Sequence, residues 1–348
     1  MSKKTIKLNR RVILENGYEL VNPTISYHTY GTLNADNSNV VWVCHALTAN
    51  SDVMDWWAGL FGDNQLFNPD EHYIVCANIL GSHYGTTSPL SLDESTGEPY
   101  YHNFPNITVR DMVQLHILLA DYLGIGQIDL LIGGSIGGHQ AIEWAIIQSE
   151  RIVQLCSIAS SAIVSPWVLA LNQSQRLAIA NDSSWKESSP RAGVEGMKVA
   201  RSIALLSYRN QKAYNLTQSE SDMDIIYPER AASYQDYQGY KLSQRFNAYS
   251  YWHLSKAMDS HNVARGRESL EKALSEITAR VLLLSMEDDI LFPLSDQEEI
   301  RKHLPHSEHY IVPTIYGHDG FLIETEKIAL RLNEFLARKK TLICSLRN

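Results

Sequence analysis

Ile128-Asp129-Leu130-Leu131-Ile132-Gly133-Gly134-Ser135-Ile136-Gly137-Gly138 is the stretch around which this chain is organised. The apolar run 130–132 has the length and composition of a fully buried strand. Two glycines stop it, Ser135 follows, and an apolar, helix-forming stretch runs over 140–147. Strand, Gly-x-Ser-x-Gly and helix together describe a nucleophile elbow. A sharp strand-to-helix turn forces its serine into a strained backbone conformation. Small residues two before and two after it, Gly133 and Gly137, let neighbouring backbone pass closely. The serine hydroxyl is then exposed at the start of a helix, where the dipole and free N–H groups favour negative charge.

The bulk composition sets bounds on this site. With 348 residues the chain can bury a large core, as one big domain or a domain with an insertion. Its net charge of −9 is spread along the chain, which argues against nucleic acid and against an anionic membrane surface. An anionic co-substrate needs only a local basic patch and is not excluded. No apolar run is long enough to span a bilayer, and the basic N-terminus lacks the apolar stretch of a signal peptide. Of the four scattered cysteines, Cys44, Cys76 and Cys156 lie in apolar, strand-like runs. Buried free thiols in a reducing compartment, the cytoplasm, are expected. No Cys/His spacing typical of a zinc site occurs, and no metal is expected.

Outward from the elbow, strands are expected at 11–14, 24–30, 40–44, 73–77 and 153–159, with a helix over 108–123 capped by Thr108. The loop 78–103 is too long for a mere connector and is expected near the site. The pattern is that of an α/β chain with a largely parallel sheet. From about 162 to 275 it breaks into a helical stretch rich in Tyr, Gln, Ser and Asn. It resumes with a strand at 280–285, a helix at 295–303, a strand at 308–312 and one final helix over 320–339. Three segments are therefore expected: a first core part at 1–161, a helical lid insertion at 162–275 and a second core part at 276–348. An insertion at this point belongs over the carboxyl ends of the strands, where such folds place their sites.

A serine nucleophile needs a base, an orienting acid and an oxyanion site. The chain order for this kind of elbow is serine, acid, histidine. The acid belongs after strand 280–285, where Glu287, Asp288 and Asp289 compete. The base belongs after strand 308–312, where His318 stands between two glycines at the opening of the last helix. Of the 13 histidines, His83, His116 and His139 are read as structural. Oxyanion donors are expected from the backbone N–H of Ile136 and from one in the loop His45-Ala46-Leu47-Thr48.

At these residues the chain resembles the homoserine O-acetyltransferase family, a branch of the α/β-hydrolase fold. The likeness runs from about Tyr27 to Ala337. Its specific pieces are Tyr30-Gly31-Thr32-Leu33-Asn34, Val43-Cys44-His45-Ala46-Leu47-Thr48, Thr108-Val109-Arg110-Asp111-Met112-Val113, the elbow continued as Gln140-Ala141-Ile142-Glu143-Trp144-Ala145, Tyr237-Gln238-Gly239 leading to Arg245-Phe246, Lys256-Ala257-Met258-Asp259, Leu291-Phe292-Pro293 and Tyr316-Gly317-His318-Asp319. The resemblance implies Ser135 as nucleophile, Asp289 as triad acid and His318 as base. It implies oxyanion donors at the N–H groups of Leu47 and Ile136. It implies an amino-acid substrate held by Arg201, Tyr208 and Asp319.

Carried over in full, it implies acetyl transfer from acetyl-CoA to L-homoserine through an acyl-serine, with no permanently bound cofactor. The enzyme would be a cytoplasmic homodimer of methionine biosynthesis. A related acyltransferase using succinyl-CoA or L-serine, or an esterase of the same fold, is the competing expectation. The chain departs from the family pattern at Ile136 and His139, where Met is usual. Further departures fall at Asn247, Tyr249, Asp63-Asn64, Ser82-His83 and Thr87-Ser88. Several of these are expected near the mouth of the site.

Overall fold

A computed structural model of the protein describes residues 2–304 and 306–346, with side chains as far as residue 338. Ten strands occur among the described residues: β1 (Lys4–Lys7), β2 (Arg11–Ile13), β3 (Glu19–Val21), β4 (Thr24–Tyr30), β5 (Val40–Cys44), β6 (Tyr73–Ala77), β7 (Leu130–Gly134), β8 (Gln154–Ile158), β9 (Arg280–Met286) and β10 (Glu308–Val312). Eight form one sheet in the order β1-β4-β6-β5-β7-β8-β9-β10; β2 and β3 pair separately. From β6 to β10 every pairing is parallel, and only β4 runs antiparallel to its neighbours β1 and β6.

The central strands are apolar on both faces because both faces are covered. Side chains alternate between two cores, as the two-residue period of a strand requires. In β5, Val40, Trp42 and Cys44 enter one core, while Val41 and Val43 enter the other. In β9, Val281 and Leu283 separate from Leu282, Leu284 and Met286 in the same way. Trp42 is fully buried and meets Trp144 edge-on, with ring centroids 4.9 Å apart. Truncating it to Ala is expected to cost about 3–5 kcal/mol.

The helices are α1 (Val53–Trp56), α2 (Val109–Tyr122), α3 (Ile136–Ile147), α4 (Pro166–Ala180), α5 (Val194–Tyr208), α6 (Gln211–Gln218), α7 (Arg230–Ser243), α8 (Ala248–Asp259), α9 (Leu270–Ser275), α10 (Leu294–His303), α11 (Gly320–Ile323) and α12 (Thr325–Leu346). Thr108 caps α2 in a reciprocal capping box with Asp111. Helices α4 to α9 all fall between β8 and β9, and among the described residues that stretch adds no strand to the sheet.

Two boundaries differ from the sequence reading. Strand β7 does not stop at the glycines: Gly133 and Gly134 keep their ladder positions opposite Ser157 and Ile158. The last helix is broken at Glu324, whose backbone leaves the helical region between α11 and α12. Cys44, Cys76 and Cys156 are free and buried; the side chain of Cys344 lies outside the described residues. No helix among the described residues is long and apolar enough to cross a membrane.

What positions the site is the strand order. β5 lies between β6 and β7, so the connections leaving β5 and β7 part at a topological switch point. Those two connections carry His45-Ala46-Leu47 and Ser135.

Candidate active site

Ser135 occupies the turn between β7 and α3 with φ 59° and ψ −130°, a conformation that non-glycine residues rarely adopt. The turn is held on both sides. The Ser135 N–H donates to Ile158 O at 2.9 Å. A Cβ on Gly137 would stand 2.1 Å from Cys44 O, and one on Gly133 would stand 2.2 Å from Gly137 O. Any side chain at either position would push the turn off its neighbouring backbone.

The Ser135 Oγ lies 3.0 Å from His318 Nε2, and His318 Nδ1 lies 2.8 Å from Asp289 Oδ2. Asp289 Oδ1 accepts from the N–H groups of Leu291 and Phe292, at 2.8 and 3.0 Å. Three donors thus fix that carboxylate. Asp288 is excluded from this arrangement. Its backbone is left-handed at φ 57°, and its exposed carboxylate pairs with Lys212 at 2.6 Å. Glu287 turns to the Thr314 N–H instead. Rings of Phe292, Phe321 and Tyr208 pack on the His318 imidazole at 5.4, 5.3 and 5.8 Å. Ser135, Asp289 and His318 are nearly covered, so the serine is reached through one cavity of about 310 Å³.

That cavity is lined by both halves of the chain. Leu47, Ser135, His318 and Asp319 come from the sheet's connections, while Arg201, Tyr208 and Lys241 come from α5 and α7. Ile136 is the first residue of α3, so its N–H belongs to the helix donors that have no partner within the helix. The Arg201 guanidinium lies 5.3 Å from the Tyr208 ring centroid, and no carboxylate among the described residues pairs with it. Burial pushes the Tyr208 phenol up, so it stays a hydrogen-bond donor at neutral pH.

Two arginines at the site were given no role by the sequence; Arg245 lines the cavity, and Arg209 stands behind a residue that does. Arg209 donates to the Asp319 carboxylate at 3.1 Å, so one oxygen of that group is already engaged. Arg245 reaches from the turn after α7 to Thr48 O at 2.5 Å and to the Tyr84 hydroxyl at 2.6 Å. It ties the helical stretch to the loop that carries Leu47. Arg245 stood in a family motif, but nothing in its spacing gave it a partner. No residue of the loop 78–103 lines the cavity; Tyr84 touches it only from behind, through Arg245 and Thr48.

The family departures do not alter the cavity wall, although Ile136 follows Ser135 directly and presents its backbone N–H there. None of Ile136, His139, Asn247 and Tyr249 lines the cavity. The Asn247 side chain caps α8, a task Asn and Asp perform equally well, and Tyr249 packs on Trp185. His116 and His139 are fully buried beside Trp144 and His261, and His83 meets Asn247.

Fold and site together define an α/β-hydrolase-type enzyme with a hydrogen-bonded Ser-His-Asp arrangement. The α/β-hydrolase fold family model matches residues 39–325. The homoserine O-acetyltransferase of Cyclobacterium marinum is 43% identical over 335 residues, covering 96% of this chain and 95% of that one. This chain belongs to the homoserine O-acetyltransferase family. Among solved structures it is similar to the homoserine O-acetyltransferase of Bacillus anthracis, with a TM-score of 0.89 at 24% identity, covering 96% of this chain and 97% of that one. It is also similar to an esterase, with a TM-score of 0.87 at 21% identity, covering 96% and 99%. At those identities the likeness speaks for the fold alone, and the fold serves both acyl transfer and hydrolysis.

Proposed function

We propose that the protein moves an acetyl group from acetyl-CoA to the hydroxyl of L-homoserine through an acyl-serine at Ser135. One observation carries this: the Ser135–His318 pair opens into the same cavity as an arginine without a carboxylate partner, Arg201, and a carboxylate, Asp319. Opposite charges flanking a nucleophile fit a zwitterionic amino acid. A plain ester would need neither.

In the first half-reaction His318 Nε2 takes the Ser135 proton as Oγ attacks the thioester carbonyl. The N–H groups of Leu47 and Ile136 hold the resulting oxyanion; losing such a donor typically costs about 2.7–4 kcal/mol. The C–S bond breaks, and the imidazolium returns the proton to the departing thiolate. In the second, the homoserine hydroxyl gives its proton to His318 and attacks the acyl-serine, and Ser135 leaves with that proton. Asp289 keeps the imidazole in the required tautomer and offsets its positive charge. Arg201 grips the substrate carboxylate with two hydrogen bonds, and Asp319 takes the ammonium through the oxygen that Arg209 leaves free. Helices α4 to α9 act as the lid. They keep water from the acyl-enzyme while the bound amino acid supplies proximity.

We further infer a cytoplasmic homodimer in methionine biosynthesis. The dimer is supported by the apolar side chains Leu206, Leu216, Ile226, Tyr237 and Tyr240, which α5 to α7 and their connections leave exposed.

The test is thiol release from acetyl-CoA with and without L-homoserine, with mass analysis of the product. Homoserine-dependent release and O-acetylhomoserine are expected, and Ser135→Ala should abolish both. Release without an acceptor makes the protein a hydrolase. Turnover only with succinyl-CoA or L-serine keeps the mechanism and replaces the substrate.

A further inference from the structure

Two fully buried side chains that neither line the cavity nor hydrogen-bond the triad hold the backbone on either side of the serine. The first is His45, at the end of β5. Its Nε2 lies 3.0 Å from the Ile79 N–H, which can only donate, so Nε2 accepts and the ring proton sits on Nδ1. Nδ1–H then donates to Ala46 O at 2.8 Å, and the Ala49 N–H donates to the same oxygen at 3.0 Å. That oxygen belongs to the planar peptide whose other end is the Leu47 N–H. The C=O and N–H of a trans peptide point in opposite directions, so pinning one aims the other. Accepting two hydrogen bonds at the carbonyl also polarises the N–H.

The second side chain is Gln140, one turn into α3. Its amide nitrogen donates to Ile136 O at 3.0 Å and to His45 O at 3.3 Å. With both protons directed at carbonyls, its oxygen must accept, and His116 Nε2 supplies that bond at 2.9 Å. His116 is held in turn by stacking on Trp144, 5.7 Å centroid to centroid. One amide thus bridges the segment leading to Leu47 and the helix turn beginning at Ile136.

We propose that His45 and Gln140 are positioning residues for the oxyanion hole: His45 aims the Leu47 N–H, and Gln140 sets its spacing from the Ile136 N–H. This rests on the assignment of those two N–H groups as the oxyanion donors. Burial holds His45 down to about pKa 4, so the ring keeps its single proton across the working pH range.

The test uses the full chain and two reactions: acetyl transfer to L-homoserine, and hydrolysis of p-nitrophenyl acetate, which depends on Ser135 but not on the amino-acid site. His45→Gln removes the donor at the Nδ1 position. His45→Asn keeps an N–H there. Gln140→Met removes the bridge at similar volume, and is the fallback where a His45 variant does not fold. Expected is a fall in kcat of about 10–100-fold in both reactions for His45→Gln and Gln140→Met, with KM for homoserine within about twofold and melting showing a folded protein. His45→Asn should recover most of the loss, which a merely structural histidine would not allow. Folded variants with parental kcat, or a change confined to KM, overturn the proposal. Absence of homoserine acetylation in the parent, with p-nitrophenyl acetate still cleaved at Ser135, would refute the substrate assignment and leave the oxyanion test intact.

Discussion

At the scale of single residues, the site is a set of charges whose partners decide their use. Asp319 lies beside Arg209, and Arg201 lies over an aromatic ring, so the acid is half engaged while the base is left for a ligand. Asp319→Asn should raise KM for homoserine about tenfold or more and leave p-nitrophenyl acetate turnover near parental; equal losses in both would assign Asp319 to the chemistry instead. Asp296 shows the cost of a carboxyl without a partner. Its Oδ2 is buried and unpaired, and burial together with the nearby Asp289 raises it to about 6. A raised acid contributes stability below its unfolded value near pH 4 and loses that contribution as pH rises to about 6. Asp296→Asn should therefore be stabilising at pH 7–8, by about 1–2 kcal/mol after allowance for solvent screening, with the gain shrinking toward pH 4. Urea midpoints at both ends of that range check the sign.

At the scale of elements, the helical stretch bears on the site and carries an uncovered face. Helix α5 sends Arg201 and Tyr208 inward, and the turn after α7 sends Arg245 to Thr48. Outward, Tyr237 and Tyr240 of α7 and Leu206 of α5 stay more than half exposed, and a free surface so apolar is expected to be covered by a second copy. Light scattering behind a sizing column should give twice the chain mass, and Tyr237→Asp combined with Leu206→Asp should give the monomer. A monomeric parent at tens of micromolar would sink the dimer.

At the scale of the whole molecule, the buried histidines set the acid limit. His45, His116 and His253 are held at about 4 and His261 at about 3, in each case chiefly because burial disfavours the charged ring. A depressed histidine contributes stability above its unfolded value near 6.5 and loses it as pH falls. By about pH 5 each has lost about 2 kcal/mol, and four together reach the range of a typical domain's entire stability. Cooperative unfolding is expected with a midpoint near pH 5, followed by circular dichroism and tryptophan fluorescence. Retention of native signal at pH 4 would mean these rings are hydrated.

The sequence by itself determined the class of fold and its family, because strands buried on both faces, the Gly-x-Ser-x-Gly turn and the family motifs are local patterns. Each is set by what a few adjacent residues can do sterically. It also named Ser135 and His318 from position alone. It left Glu287, Asp288 and Asp289 in competition until a likeness to other chains favoured the last. Only the tertiary structure separates the three in space, turning Asp288 out to Lys212 through a left-handed backbone and Asp289 in to His318. It alone brought Arg209 to Asp319, Arg245 to Thr48 and Gln140 to His45, across separations of 110, 197 and 95 residues. Such partnerships follow from the order of strands in the sheet and from where the helices settle over it. No local spacing records either.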